Sequence, residues 1–427
     1  MNRTAVFLMG EIIIEGGRKL FGRIDVAAAK NSCLPIIASA IAVRSEIRLL
    51  GAPEITDVCV MAQIVESLGG KYVFDENGLV LYTENVNSCV CKPEINERAR
   101  ASFFTAGALL TRFGRAYMPY PGGCSIGARP VDIHVDGLKS LGVECDCDDK
   151  GVYFDGRSMH SGKVILRYPS VGATVNVIGA ALALDGETTI CGAACEPEIN
   201  DVCNFLCECG YDVRGGGSSV IRIVGKKNRS FRNVVYRPLS DRIEAGTFLF
   251  ACLACGGEIE IGYDCPKNLD AVSAVLRRCG AKTYFFNGKI VISVDERPLP
   301  VNVCADVFPN FPTDLQPQLC AALSVCRGES RIEDKVFPGR FCYADMLEKF
   351  GAIIDGRYSA VRIRGVDRLR PAAVEAGDLR GGAALCIAAL SAEGESTVSG
   401  TDKIKRGYHD FCKKIASLGG SVRESQF

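Results

Sequence analysis

The chain has 427 residues, 48% hydrophobic and 23% charged, enough for two or three domains that each bury a core. Its 50 Lys and Arg balance 50 Asp and Glu, so no global field attracts nucleic acid or an anionic membrane. Any anion must be gripped by a local cluster of cations, and this composition excludes disorder.

At the start, MNRTAVFLMGEIIIEGG carries one early Arg and an apolar run broken by Gly10 and Glu11, too interrupted for a secretory signal. The longest uncharged stretch runs from Tyr168 to Leu184 and contains Ser170, Gly172, Thr174, Asn176 and Gly179. It predicts a packed helix with its entry loop, not a membrane span. A cytoplasmic, reducing setting is expected, with neither membrane nor nucleic acid as partner. Among the 22 cysteines, Cys252, Cys255, Cys320, Cys326 and Cys386 are expected at helical core positions, where a thiol packs as a small apolar group. Cys203 and Cys207 lie one helical turn apart with Cys209 beyond, but no second pair follows at ligand spacing. His134, His160 and His409 are scattered, so structural thiols and no metal are expected.

An internal repeat is the strongest pattern. Six helical stretches each end on a glycine followed by a strand-like run: Gly69, Gly142, Gly210, Gly280, Gly351 and Gly419. Their spacings of 68 to 73 residues define the unit, and each glycine fits the left-handed position that ends a helix. A second marker recurs upstream, an Ala- or Leu-rich helix, a Gly and a strand, as in ALALDGETTI, CLACGGEIEI, LSVCRGESRI and LSAEGESTV. In the first two units SEIRLL and FGRAYMPY stand there instead. Each unit therefore holds a helix, a strand, a second helix and further strands. Six units divide into three plus three, because Tyr236–Ser240 interrupts the pattern midway. The expected domains are 29–239, and 1–28 with 240–427, meeting at a cleft suited to a ligand.

Several segments carry residues suited to chemistry. In AKNSCLP, Lys30 and Asn31 open a helix whose N–H groups favour anions, although a solvated Lys beside a cap looks the same. PGGCSIGARPVD, from Pro121 to Asp132, has too much Gly and Pro for a regular element. It reads either as a lid presenting Cys124, with Arg129 favouring its thiolate, or as a surface turn with an incidental cysteine. SVGAT, from Ser170 to Thr174, is a small-residue turn into a helix and a possible phosphate contact. GGG at 215–217 is a hairpin turn outside any strand–helix dinucleotide pattern, so no nicotinamide is expected. In FPTDLQPQ, Asp314 sits at a helix start, as a cap or as a general base. Arg100, Arg129, Arg242, Arg340, Arg380 and Arg406 recur in motif-like settings; facing one cleft, they would suit phosphate and carboxylate groups.

Together, AKN, RAS, PGGCSIGARPVD, SVGAT, EPEIND, DRIEAGTF, FPTDLQPQ, DLR and RGY, in that order along nearly the whole chain, resemble the enolpyruvyl transferases. The resemblance implies a two-domain, inside-out α/β barrel of six βαβαββ-type units. It also implies transfer of the enolpyruvyl group of phosphoenolpyruvate to the 3-hydroxyl of UDP-N-acetylglucosamine, without cofactor or metal, by a monomer or weak homo-oligomer. By the same resemblance Cys124 is the lid acid, Asp314 the base, and Lys30, Arg129 and Arg406 surround the phosphate. Arg100, Arg340, Asp378 and Arg380 complete the wall. Asn31, Pro130, Val131, Asp132, Ser170, Val171, Gly172 and Val336 match nucleotide-sugar contacts. The shikimate-pathway member of the family lacks the PGGC lid and the SVGAT context.

Some supporting positions depart from the family pattern. Ala28 stands for a Gly before AKN, Cys195 for an Arg in ACEPEI, and Gly377 for a Thr before DLR. Lys403 and Lys405 replace His and Asp before RGY, FPGRF replaces FENRF, and Tyr168-Pro169 precedes SVGAT where a basic residue is common. The alternative reading is a divergent copy acting on a related nucleotide sugar, or a non-catalytic one.

Overall fold

The first repeat shows the plan of the molecule. In the computed structural model, which describes residues 10–122, 131–226 and 232–426, helix Lys30–Ala40 leads to strand Glu46–Leu50. Helix Thr56–Ser67 and the hairpin Lys71–Asp75 with Gly78–Tyr82 follow. The same order restarts at Thr105, Val171, Arg242, Gln316 and Leu379. The architecture is α/β, as expected from the spacing of the glycines.

Those glycines act as the repeat predicts. All six have positive φ, between +81° and +104°. Each ends its helix with the same pair of bonds: Gly69 N–H donates to Glu66 O and Gly70 N–H to Val65 O, and Gly280 and Ala281 donate likewise to Arg277 and Leu276. Two orphan carbonyls are thereby satisfied and the chain is turned into the hairpin.

Each repeat builds one small sheet. In five of them a strand from elsewhere pairs parallel to the strand after the first helix, and two such strands come from far along the chain. Val234–Tyr236 completes the first sheet, while Leu20–Asp25 completes the fourth beside Gly257–Gly262. Strand Gly10–Glu15 lies between Glu395–Ser399 and Ser421–Gln426 in the sixth. The second repeat has three strands, and the single parallel bridge Val90–Tyr117 stands where the fourth would be.

The chain divides into two compact units. One holds the described residues up to Val26 and from Ser240 onward; the other holds those from Ala27 through Leu239. Each has three sheets and its own apolar core. Within a unit the first helices of the repeats pack on one another. They are buried all round, which is why they read as Ala- and Leu-rich: every residue of Gln316–Leu323, and all but the last of Leu379–Ser391, is inside. The second helices lie outside and are amphipathic, as in Asp270–Arg278, which buries Val272, Val275 and Leu276. Cys252, Cys320 and Cys386 pack within the central helices as expected. Cys255 is only half-buried at a helix end, and Cys326 is buried in the turn after Gln316–Leu323, not in a helix. The glycines at 215–217 do connect a hairpin.

Two of the helix-ending glycines separate backbone strain from crowding. At Gly280 a Cβ would lie 3.7 Å from Leu299 Cδ1, an ordinary contact, whereas at Gly142 it would lie 2.6 Å from Ser158 O. Gly280→Ala should therefore cost only the left-handed penalty, about 1–2 kcal/mol. Gly142→Ala should cost more, because a backbone carbonyl must move. Urea unfolding of both variants checks this, and equal losses would contradict the distinction.

Candidate active site

In the unit that holds Ser240 onward, the turn Thr313–Leu315 presents Asp314 just before helix Gln316–Leu323. Asp314 does not cap that helix; its carboxylate lies between two guanidinium groups. Oδ1 accepts from Arg340 Nη1 at 2.7 Å, and Oδ2 accepts from Arg380 Nη2 at 3.1 Å and Nε at 3.3 Å. Arg340 is 3% exposed and Arg380 2%. Charge-assisted pairs of this kind are strong only when geometry is good, and here both arginines are fixed from behind.

Arg380 is the second residue of helix Leu379–Ser391, whose N-cap is Asp378: Asp378 Oδ1 accepts from the N–H groups of Arg380 and Gly381. Its guanidinium lies 5.3 Å from the centre of the Tyr408 ring. The Tyr408 hydroxyl bonds Thr247 and Gln318. Burial disfavours the charge on Arg380, but Tyr408, Asp314 and Asp241 outweigh it and hold the group above its ordinary pKa. Arg340 Nε and Arg380 Nη1 are buried. Arg406 is half-buried in the turn after Thr401–Ile404, two residues before Tyr408. Val336 is half-buried and donates its N–H to Asp334.

In the other unit the predicted residues also sit at helix starts. Lys30 opens helix Lys30–Ala40, with Asn31 next, and Lys30 Nζ lies 3.1 Å from Asp57 Oδ2 near the start of Thr56–Ser67. Both members of that pair are largely buried. Arg100 begins the 3-10 turn Arg100–Phe104. Val131 precedes helix Asp132–Lys139, and Asp132 is paired with Arg167, which also reaches Asp136. Ser170 caps Val171–Ala181, its Oγ accepting from Ala173 N–H at 3.3 Å. Cys124, Arg129 and Pro130 lie outside the described residues.

Gly172 is required by what lies beneath it. A Cβ there would meet His134 Cε1 at 2.5 Å and Phe104 Cε1 at 2.7 Å. His134 is buried and its Nδ1 lies 2.8 Å from Asn176 Nδ2, which also donates to Phe103 O. Asn176 Oδ1 accepts from Gly107 N–H, so the amide orientation is fixed and His134 Nδ1 is the acceptor of a neutral ring. Burial, then the charge of Arg100, push its pKa down to about 4.

Asp57, His134, Asp334 and Tyr408 were not singled out by sequence. His134 and Tyr408 stand beside predicted motifs, in PVDIH and RGY, but Asp57 and Asp334 look like ordinary surface acids in one dimension. Of the departures, Gly377 has open space around a Cβ, so crowding does not demand it. Lys405 pairs with Glu424 at 2.9 Å, and Lys403 Nζ donates to Ala376 O at 2.8 Å. Cys195 Sγ donates to Ala193 O at 3.7 Å, and burial, then Glu196, raise its pKa.

The buried neutral His134 makes stability depend on pH. Its folded pKa lies below the ordinary 6.5, so the unfolded chain binds more protons between about pH 6.5 and 4. Stability should be fully present above pH 6.5 and fall by up to about 3 kcal/mol as pH drops through that window. Urea unfolding at pH 7 and pH 5 should show this extra slope in the wild type and not in His134→Gln. Identical slopes in the two proteins would contradict the neutral assignment.

Comparison with known proteins places this geometry. Residues 14–415 match the family model of EPSP synthase (3-phosphoshikimate 1-carboxyvinyltransferase). A protein of Carboxydothermus hydrogenoformans named UDP-N-acetylglucosamine 1-carboxyvinyltransferase 2 is 38% identical, over 97% of this chain and 99% of its own. A UDP-N-acetylglucosamine 1-carboxyvinyltransferase of Thermotoga petrophila is 39% identical, over 97% and 98%. Among solved structures, the enolpyruvyl transferase NikO of Streptomyces tendae superposes with a TM-score of 0.88 at 21% identity, over 98% of this chain and all of its own. EPSP synthase of Acinetobacter baumannii gives 0.71 at 18% identity, over 98% of this chain and 100% of its own. Matched nearly end to end by its relatives, the chain belongs to the enolpyruvyl transferase family, among the UDP-N-acetylglucosamine 1-carboxyvinyltransferases.

Proposed function

We propose that this protein transfers the enolpyruvyl group of phosphoenolpyruvate to the 3-hydroxyl of UDP-N-acetylglucosamine and releases phosphate, in peptidoglycan synthesis in the cytoplasm. The observation that carries this reading is the near full-length likeness, at 38–39% identity, to relatives that bear that name. The alternative acceptor, shikimate 3-phosphate, is supported only by the name of the broader family model.

The reaction runs by addition and elimination. The sugar oxygen bonds to C2 of phosphoenolpyruvate while a proton reaches the C3 methylene, giving a tetrahedral ketal. The C2–O bond to phosphate then breaks, C3 returns a proton to the Cys124 thiolate to form the enol ether, and the departing phosphate takes up the proton that left the sugar hydroxyl. Asp314 takes the proton of the sugar hydroxyl, and the Cys124 thiol supplies the one for C3. Lys30, Arg129 and Arg406 hold the phosphate. Arg340 and Arg380, with Arg100, form the cationic wall, and the first two hold Asp314 in place. Asn31, Ser170–Gly172 and the stretch through Asp132 bind the nucleotide sugar, where the start of helix Val171–Ala181 offers backbone N–H groups. Asp378 acts by capping the helix that carries Arg380.

Phosphate release with phosphoenolpyruvate and either UDP-N-acetylglucosamine or shikimate 3-phosphate tests the assignment. Turnover is expected with the nucleotide sugar only, and Cys124→Ser and Asp314→Asn should each lower kcat by about 10²–10⁴. Turnover with shikimate 3-phosphate alone would transfer the assignment to that acceptor.

The epoxide phosphonate fosfomycin should alkylate Cys124 when nucleotide sugar is present. Burial pushes thiols such as Cys252 and Cys320 up to about 12, so the interior cysteines are not thiolates at neutral pH. Peptide mapping by mass spectrometry should find a single adduct at Cys124; adducts on other thiols with none there would refute the lid role.

A further inference from the structure

Asp334 ends the strand Glu329–Asp334 and is completely buried. Its Oδ1 accepts the backbone N–H of Val336 at 2.9 Å and of Phe337 at 2.8 Å. Its Oδ2 accepts the Thr313 hydroxyl at 2.6 Å. Thr313 Oγ1 in turn accepts from Arg340 Nη1 at 3.1 Å, the same nitrogen that donates to Asp314 at 2.7 Å.

The direction of these bonds is fixed by chemistry. A carboxylate only accepts, so the one hydroxyl hydrogen of Thr313 must point at Asp334. The Thr313 lone pairs are then turned toward Arg340, which only donates. One carboxylate thus ties together the turn carrying Asp314, the start of the segment 335–340, and, through Thr313, the arginine that ends it.

We propose that Asp334 is a positioning residue, which through Thr313 sets Arg340 against Asp314 for enolpyruvyl transfer. The inference rests on the function proposed above. Asp334 is enclosed by its protein partners and does not act on substrate itself. A misplacement near 1 Å at a reacting group lowers rate by about 10²-fold, which makes so small a relay consequential.

The test uses the full-length enzyme and pairs an isostere with a hydroxyl-keeping variant. Thr313→Val preserves shape but removes the relay, and should lower kcat by about 10- to 100-fold. Thr313→Ser removes a methyl but keeps the relay, and should lose several-fold less than Thr313→Val. A packing role would give the opposite order, with Val the better substitute, and would overturn the proposal. In parallel, amide exchange read by mass spectrometry should be faster by tenfold or more over 335–341 in Asp334→Asn, with Leu379–Ser391 unaffected. Unchanged exchange there would also overturn it. If the wild type fails to turn over phosphoenolpyruvate with UDP-N-acetylglucosamine, the functional reading falls, and the exchange experiment decides the positional claim alone.

Discussion

Two guanidinium groups almost wholly removed from water lie on either side of one carboxylate, that of Asp314, which offsets much of the cost of burying them. Desolvating either cation is costly, and their mutual repulsion adds to it. Asp314 accepts from both, and Asp241 also acts on Arg380 as Asp334 does on Arg340, so the two buried cations are compensated from several sides. Much nearby polarity serves that triad. Asp334 and Thr313 hold Arg340, and Asp378 starts the helix under Arg380. Tyr408, itself bonded to Thr247 and Gln318, lies against the Arg380 guanidinium. A buried network of this kind is rigid when its members are satisfied and expensive when one is removed.

The repeat explains why one group of candidate residues sits where it does. Each unit packs three central helices together, and the chain enters them at Lys30, after the turn Arg100–Phe104, at Ser170, at Asp241, at Asp314 and at Asp378. Lys30, Asn31, Arg100, Ser170–Gly172, Asp314, Asp378 and Arg380 fall on these entries, whereas Val131, Asp132, Val336, Arg340 and Arg406 lie in the segments around the second helices. Beyond the first turn, Gln316–Leu323 and all but the last residue of Leu379–Ser391 carry only apolar side chains. The first turn is suited to chemistry, because the N–H groups there lack intrahelical partners and carry the positive end of the dipole. The outer helices and hairpins, ended by the six left-handed glycines, supply the frame.

The period, the helix-ending glycines and the Ala-rich central helices were legible because each rests on local chemistry: a positive φ, a cap, a run without charge. Lys30, Ser170 and Asp314 were legible as residues at helix starts for the same reason. The partners that fix them were not. Asp57 lies 27 residues from Lys30 and His134 lies 38 residues from Gly172, distances that only the packing of different helices closes. Asp314 illustrates the limit most clearly. In one dimension an Asp before a helix reads as a cap, yet its oxygens are taken by arginines 26 and 66 residues away. The N-terminal strands could not be placed either, since Gly10–Glu15 and Leu20–Asp25 pair with strands of the last and fourth repeats.

Part of the cysteine content also follows from this architecture. The central helices need small apolar side chains where they approach one another, and Cys fills that need as Ala does, in Cys252, Cys320 and Cys386. Burial then removes the chemical hazard, because an apolar surrounding disfavours the thiolate that oxidation and alkylation require. That protection covers the interior thiols; Cys147, Cys207 and Cys342 are exposed. What distinguishes Cys124 is its setting in sequence, a Gly- and Pro-rich segment with an arginine five residues on, where no helix core encloses it by pattern. The interior cysteines are packing atoms; reactivity depends on leaving the core.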